Sequence, residues 1–153
     1  MATAVDDDAG RAARRLRRLV ADVVDLPTGP DLVAGLVELG GRGDLSAREA
    51  AEVTAAWNRM VSYCQAGRLA AVVGLDQALA PDGTDPRVRV AGRRVCRLRR
   101  TADEIAPLLR MAPQTASRLV GLARRVETTL PAAFDALAEG RMDYTQLAVL
   151  DTV

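Results

Sequence analysis

The chain has 153 residues, which is enough for one domain with its own core, and its apolar content of 49% excludes a disordered chain. Aromatic residues make up only 3%, so the core must consist mainly of Ala, Val and Leu, which favours helices over strands. The chain contains no histidine, which excludes Ser-His-Asp and Cys-His catalysis, a histidine general base and a histidine-ligated metal. We therefore expect a chain that is not an enzyme, with no catalytic residues, no metal and no cofactor.

The net charge of +1 hides an uneven distribution of charge along the chain. Residues 1–86 contain nine arginines against thirteen acidic residues, and residues 126–153 contain one arginine against five. Residues 87–125 contain eleven arginines against only Asp103 and Glu104. Clustered arginines attract phosphates, so this block favours contact with nucleic acid over the alternative of a solvated charged face.

The first part of the chain predicts a flexible tail followed by two helices. Residues 1–10 are assigned to the tail, and residues 11–25 to a first helix that ends before Pro27 and Gly29. Residues 31–39 predict a short second helix. The apolar residues of the first helix recur on one face; they are Ala12, Leu16, Leu19, Val20 and Val23.

A long helix is predicted over residues 47–80, because Ser46 and Glu49 have the spacing of a capping box and no proline follows until Pro81. Small and apolar residues along it form a seam to which another helix can pack. The seam consists of Val53, Trp57, Met60, Cys64, Gly67, Ala71, Leu75 and Ala78. We expect the seam to pack against the chain's own helices, with a second copy of the chain as the alternative partner.

The two cysteines, Cys64 and Cys96, are far apart and belong to no CxxC pair. We expect small buried or half-buried thiols and no disulfide, because the sequence carries no sign of export. Residues 1–10 are acidic and lack the apolar core of a signal peptide, and no apolar stretch is long enough to cross a membrane. The prediction is a cytoplasmic chain with no membrane partner.

Residues 81–86 contain two prolines and a glycine and predict a break in the structure. Residues 87–100 contain seven arginines interspersed with valines. This stretch predicts either short extended structure or a flexible basic arm, and the sequence alone does not decide between them.

Residues 102–120 have the spacing of a helix-turn-helix. The apolar residues that such a pair needs where its helices touch are Ile105, Leu109, Met111, Ala116 and Leu119. Ala106 supplies the small residue at the crossing, whereas Arg110 occupies the turn position that usually holds glycine. Thr101 and Glu104 predict a capping box for the first helix, and Pro113 suits the start of the second.

The second helix of this pair is predicted to expose polar side chains from its N-terminal half. Gln and Arg can bond bidentately to adenine and guanine, and neighbouring arginines can contact phosphates. The predicted DNA-binding residues are Arg97, Arg99, Arg100, Arg110, Gln114, Thr115, Ser117, Arg118, Arg124 and Arg125. The alternative is a pair of short helices in a bundle that touches no DNA.

From Ser46 onward the chain resembles the actinobacterial family called domain of unknown function 222. The resemblance lies in T-A-D-E-I-A-P-L-L-R-M-A-P at residues 101–113 and, most specifically, in L-P and A-L-A-E-G-R within residues 130–141. It implies an association with HNH endonucleases, because this domain usually precedes a C-terminal HNH module. Family members continue past the position of Val153, so the resemblance also implies a fragment that lacks the nuclease module. No HNH ligand or base can be assigned, since no histidine is present.

Local signals after the helix-turn-helix agree with further helices. Pro131 is suited to a helix start, Gly140 to the residue just past a helix end, and Asp143 to the cap of a last helix.

Together these features predict an all-α fold, a helical bundle with one long central helix and a helix-turn-helix-like pair. Its parts are a tail (residues 1–10), N-terminal helices (11–80), an arginine-rich linker (81–100) and a helix-turn-helix-like region with C-terminal helices (101–153). The predicted function is a non-catalytic accessory region of an HNH-endonuclease-type protein that contacts DNA. The alternative is a helical module for protein interaction or dimerisation with no nucleic-acid role.

Overall fold

The computed structural model describes the backbone of residues 3–79, 87–90 and 93–151 and the side chains of residues 10–79 and 98–151. The fold is all-α, as predicted, with one short hairpin inserted between the third and fourth helices. In chain order the elements are α1 (Thr3–Val24), α2 (Pro30–Leu39), α3 (Ala47–Ala78), β1 (Arg87–Val90), β2 (Arg93–Cys96), α4 (Arg97–Leu108), α5 (Pro113–Thr128), α6 (Pro131–Ala138) and α7 (Tyr144–Leu150). The break predicted at residues 81–86 lies outside the described residues. None of the helices within the described ranges has the length and apolar character needed to cross a bilayer.

The first helix differs from the prediction at its start. It begins at Thr3, so residues 3–10 are helical, and the predicted start at residue 11 was wrong. Its buried stripe agrees better with the sequence pattern, since Leu16, Val20 and Val23 are buried, Leu19 is half-buried and only Ala12 is exposed.

The long helix α3 begins as the sequence predicts. The Ser46 hydroxyl accepts a hydrogen bond from the Glu49 amide at 3.3 Å, and the Glu49 carboxylate accepts one from the Ser46 amide at 2.7 Å. This reciprocal box satisfies two backbone donors that a helix start otherwise leaves without partners. Hydrogen bonds from the Ser46 hydroxyl and amide lower the pKa of the Glu49 carboxyl below its usual range.

Two separate clusters of buried side chains pack on α3. The first joins α1 and α2 to the N-terminal half of α3 through Val53, Ala56 and Met60. The second joins α4, α5, α6 and α7 to the C-terminal half through Ala66, Leu69 and Val72. An α-helix turns about 100° per residue, so these two sets of α3 residues face nearly opposite directions. One helix therefore forms a wall of both clusters.

The predicted seam of α3 is largely wrong, because the buried face changes sides along the helix. Val53 and Met60 are buried and Leu75 is half-buried, but the remaining seam residues are exposed, namely Trp57, Cys64, Gly67, Ala71 and Ala78. The expectation of a buried or half-buried thiol is wrong for Cys64, which is free and exposed. The side chain of Cys96 lies outside the described residues.

Residues 87–90 and 93–96 pair as two antiparallel strands, which decides between the two alternatives left open by the sequence in favour of extended structure. The register places Val88 opposite Val95 and Arg89 opposite Arg94. The last residues of the predicted linker are not linker at all, since helix α4 follows β2 directly and begins at Arg97.

A close contact at Gly140 connects the two clusters. Gly140 follows the end of α6 with a φ of +72°, and a Cβ placed there would lie 2.9 Å from the Cα of Arg59 on α3. The guanidinium of Arg59 donates a hydrogen bond to the carbonyl of Val24, and the hydroxyl of Thr28 donates one to the carbonyl of Ala138. The end of α6 is thereby fixed against both α3 and the loop after α1.

We expect Gly140→Ala to lower the free energy of unfolding by at least about 2 kcal/mol, because alanine opposes the left-handed φ and also collides with α3. Chemical denaturation measures the change. The matched control is Gly67→Ala on α3, where an added Cβ meets nothing within 4 Å. That change should raise stability by about 0.5–1 kcal/mol, because alanine is the better helix former. Equal effects of the two variants would contradict the close approach at Gly140.

Candidate nucleic-acid interface

Helices α4 and α5 pack on each other through most of the residues that the helix-turn-helix pattern requires. Ile105, Ala106, Ala116 and Leu119 are all buried in the second cluster. Met111 is half-buried against this cluster. Leu109, which was predicted to pack there, is 41% exposed.

The turn between the two helices explains the exposure of Leu109. The amide of Met111 donates to the carbonyl of Ala106 at 2.9 Å, and the amide of Arg110 donates to the carbonyl of Pro107 at 3.2 Å. These two bonds form a Schellman motif, in which Leu109 is the cap residue and its side chain turns away from the helix contact.

Arg110 takes the left-handed conformation that such a turn requires, with a φ of 51°. It is the only residue other than glycine with a positive φ in the described part of the chain. A residue with a Cβ is strained in this conformation, because the Cβ comes too close to the following carbonyl oxygen. The same motif after α6 has a glycine, Gly140, at this position. The turn therefore has the geometry of a glycine turn and presents an exposed arginine instead.

Thr101 does not cap α4, and the predicted Thr101–Glu104 capping box is wrong. Because β2 leads directly into α4 at Arg97, Thr101 lies inside the helix and is fully buried. Its hydroxyl donates a hydrogen bond of 2.7 Å to the carboxylate of Asp76 near the end of α3.

Asp76 also pairs with Arg124, one of the predicted DNA-binding residues. The guanidinium of Arg124 donates from Nε at 2.8 Å and from a terminal nitrogen at 2.5 Å to the two carboxylate oxygens. Asp76 is 3% exposed, and this bidentate pair is largely shielded from water. The guanidinium nitrogens of Arg124 that could bind a phosphate therefore hold α5 to α3 instead.

Arg125 makes a second bidentate pair, with Asp151 just beyond the end of α7. The hydrogen bonds from Arg125 to Asp151 raise the pKa of its guanidinium above the usual value. The side chain of Arg125 is 52% exposed, whereas that of Arg124 is 31% exposed, so the Arg125–Asp151 pair is more accessible to solvent than the Arg124–Asp76 pair.

The N-terminal half of α5 exposes three of the predicted side chains, Gln114, Thr115 and Arg118. Ser117 is half-buried, and its hydroxyl donates to the carbonyl of Pro113 at 3.0 Å. Pro113 occupies the first turn as predicted, and Ala112 provides no side-chain cap. No side chain of Ala112 therefore caps the first amides of α5, which follow the exposed Arg110 closely in the chain.

The arginines upstream of the pair are divided by the fold. Arg99 is exposed, whereas Arg100 is half-buried and donates a long hydrogen bond of 3.5 Å to the carbonyl of Leu79. The side chain of Arg97 lies outside the described residues. Arg99 on α4, Arg110 in the turn and Arg118 on α5 are therefore all exposed.

Two residues that the sequence did not suggest lie beside α5. Arg68 on α3 places its guanidinium carbon 5.5 Å from the ring centroid of Tyr144 on α7, and both residues line a groove with Thr115 and Arg118. Arg68 lies outside the basic block of residues 87–125, and its spacing along the chain from Tyr144 gives no local signal. Only the packing of α7 against α3 and α5 brings them together.

We expect Asp76→Ala to lower the free energy of unfolding by about 3 kcal/mol, because it removes the buried carboxylate that accepts hydrogen bonds from the Thr101 hydroxyl and the Arg124 guanidinium. The matched control is Asp151→Ala, which removes the same chemistry from an exposed arginine and should cost below about 1 kcal/mol. Urea unfolding of both variants measures the difference. Losses of equal size would show that burial does not distinguish the two pairs.

Searches of protein-family models, of curated proteins and of solved structures found no match to this chain. The resemblance to domain of unknown function 222 therefore stays a prediction from the sequence.

Proposed function

We propose that this chain is a cytoplasmic, non-catalytic accessory region that contacts DNA through the α4–α5 pair, in a protein of the HNH-endonuclease type. The observation that carries the proposal is the exposed face of α5. Gln114, Thr115 and Arg118 project from the N-terminal half of a helix whose packing against α4 has the spacing of a helix-turn-helix. In such pairs, it is this half of the second helix that reaches base edges in the major groove.

The strained turn supports the same function. Holding Arg110 in the left-handed region costs stability that glycine would recover. A persistent local strain at an exposed cationic residue is typical of a functional position, and here the guanidinium lies at the junction of the two helices.

The hairpin adds a second cationic element directly before α4. β1 and β2 contribute four of the eleven arginines of residues 87–125, namely Arg87, Arg89, Arg93 and Arg94. Clustered arginines attract phosphates, so this part of the chain is suited to contact the DNA backbone. The link to HNH nucleases rests on the sequence resemblance alone.

The test is DNA binding measured by fluorescence anisotropy over a range of salt concentrations. We expect Arg99→Ala with Arg110→Ala and Arg118→Ala to weaken duplex binding strongly and to reduce the salt slope by up to about 3, since each phosphate contact contributes about 0.9. The matched control removes three exposed arginines of α1, Arg14, Arg15 and Arg18, and should leave the affinity nearly unchanged.

Arg110→Gly separates the effect of charge from that of stability, because glycine removes the positive charge and adopts the left-handed φ of the turn without strain. We expect this variant to gain about 1 kcal/mol of stability and still to bind DNA less tightly. A wild-type chain that does not bind duplex DNA, or equal losses in the α1 control, would exclude the α4–α5 surface as the DNA contact.

The second candidate is self-association through α3. Trp57, Cys64, Gly67, Ala71 and Ala78 remain exposed along this helix, which gives the surface that a second copy could cover. Sedimentation analysis tests this candidate, and a single monomeric species at high protein concentration would contradict it.

A further inference from the structure

A groove lies between α3, α5 and α7, beside the proposed DNA contact. Its volume is about 670 Å³, and its apolar lining residues include Leu119, Leu122 and Ala148. We refer to it as the Tyr144 groove, after the aromatic ring that lines it from α7. Thr115 and Arg118, which are exposed on α5, also line it, so a ligand there would meet the exposed face of α5.

The lining of the groove is cationic as well as apolar. Arg68, Arg118 and Arg125 all line it, and Asp151 is the acidic residue among its lining residues. Arg125 is already paired with Asp151, which leaves Arg68 and Arg118 as the arginines that give the groove its positive charge. A purely aliphatic ligand would gain nothing from these two guanidinium groups, which favour an anion.

The guanidinium of Arg68 is incompletely satisfied. Its Nε is buried and, like Oε1 of Gln65 one turn earlier on α3, has no hydrogen-bond partner within the described part of the chain. Buried donors of native proteins nearly always have acceptors, and a charged donor without one is costly. Its guanidinium lies over the ring of Tyr144, with the guanidinium carbon 5.5 Å from the ring centroid, and this contact holds the cation beside the groove.

An anion joined to a flat aromatic group satisfies all of these features. Free phosphate would leave the apolar floor and the ring of Tyr144 unused. A nucleotide places a base against an aromatic ring or an arginine plane and its phosphate on an arginine, as in proteins that bind single strands. Bases within a duplex are stacked on their neighbours and cannot enter such a groove.

We propose that the Tyr144 groove binds an unpaired nucleotide of single-stranded DNA, with the base against Tyr144 and Leu122 and the phosphate between Arg68 and Arg118. This inference rests on the proposed DNA contact and extends it from duplex to single-stranded DNA. Junctions where a duplex opens would then be held by α5 on one side and the groove on the other.

The test compares binding of a single strand and a duplex of the same length by fluorescence anisotropy, with 2-aminopurine in the strand to report stacking. We expect Tyr144→Leu to weaken single-strand binding at least about tenfold and to abolish the change in 2-aminopurine fluorescence. Ala148→Phe, which fills the groove, should do the same. Duplex affinity should stay within about twofold for both variants.

The matched control is Tyr63→Leu, which changes the other tyrosine, on the exposed part of α3 outside the groove. It should leave single-strand binding unchanged, and thermal melting identifies any variant that fails to fold. Wild-type binding to duplex but not to single strands would overturn the groove inference and leave the proposed function standing. Failure to bind either form would overturn both.

Two further outcomes would also reject the inference. Equal loss of duplex and single-strand binding in the groove variants would mean that the groove only supports the shape of α5. An acidic peptide containing phenylalanine that binds wild-type chain, but not Ala148→Phe, while single strands bind both equally, would assign the groove to a protein partner.

Discussion

The carboxylate of Asp76 joins the three helices on which the candidate interface depends. It receives the Thr101 hydroxyl from α4 and the Arg124 guanidinium from α5, while its own backbone belongs to α3. A buried carboxylate requires such partners, because an isolated charge away from water is very costly. The exposed face of α5 is therefore oriented by a charge that itself stays buried, and one predicted DNA-binding arginine performs this structural task.

Local patterns in the sequence were reliable where neighbouring residues decide the structure. The capping box at Ser46, the cap at Asp143, the proline starts and the left-handed Gly140 all follow from residues within one helical turn. Most of the contact between α4 and α5 was predictable for a similar reason, since the two helices are joined by a tight turn. The all-α class followed from composition.

Features that depend on distant residues were not predictable. Thr101 has the spacing of a cap, but the hairpin before it continues directly into α4, and its hydroxyl is used by Asp76, far away in the sequence. The prediction of a single seam on α3 was largely wrong, because one periodic pattern cannot show that a helix is buried on one side in its first half and on the other side in its second half. The pairing of Arg68 with Tyr144 likewise arises only when α7 packs on α3.

The division of α3 between two clusters has a consequence for how the chain is made. Among the residues that the structure describes, every buried member of the first cluster, from Leu16 to Met60, precedes every buried member of the second, from Ala66 to Leu147. Synthesis proceeds from the N-terminus, and folding during synthesis follows the same direction. The first cluster can therefore fold during synthesis, together with the N-terminal half of α3. The C-terminal half of α3 then provides the surface against which α4, α5, α6 and α7 pack.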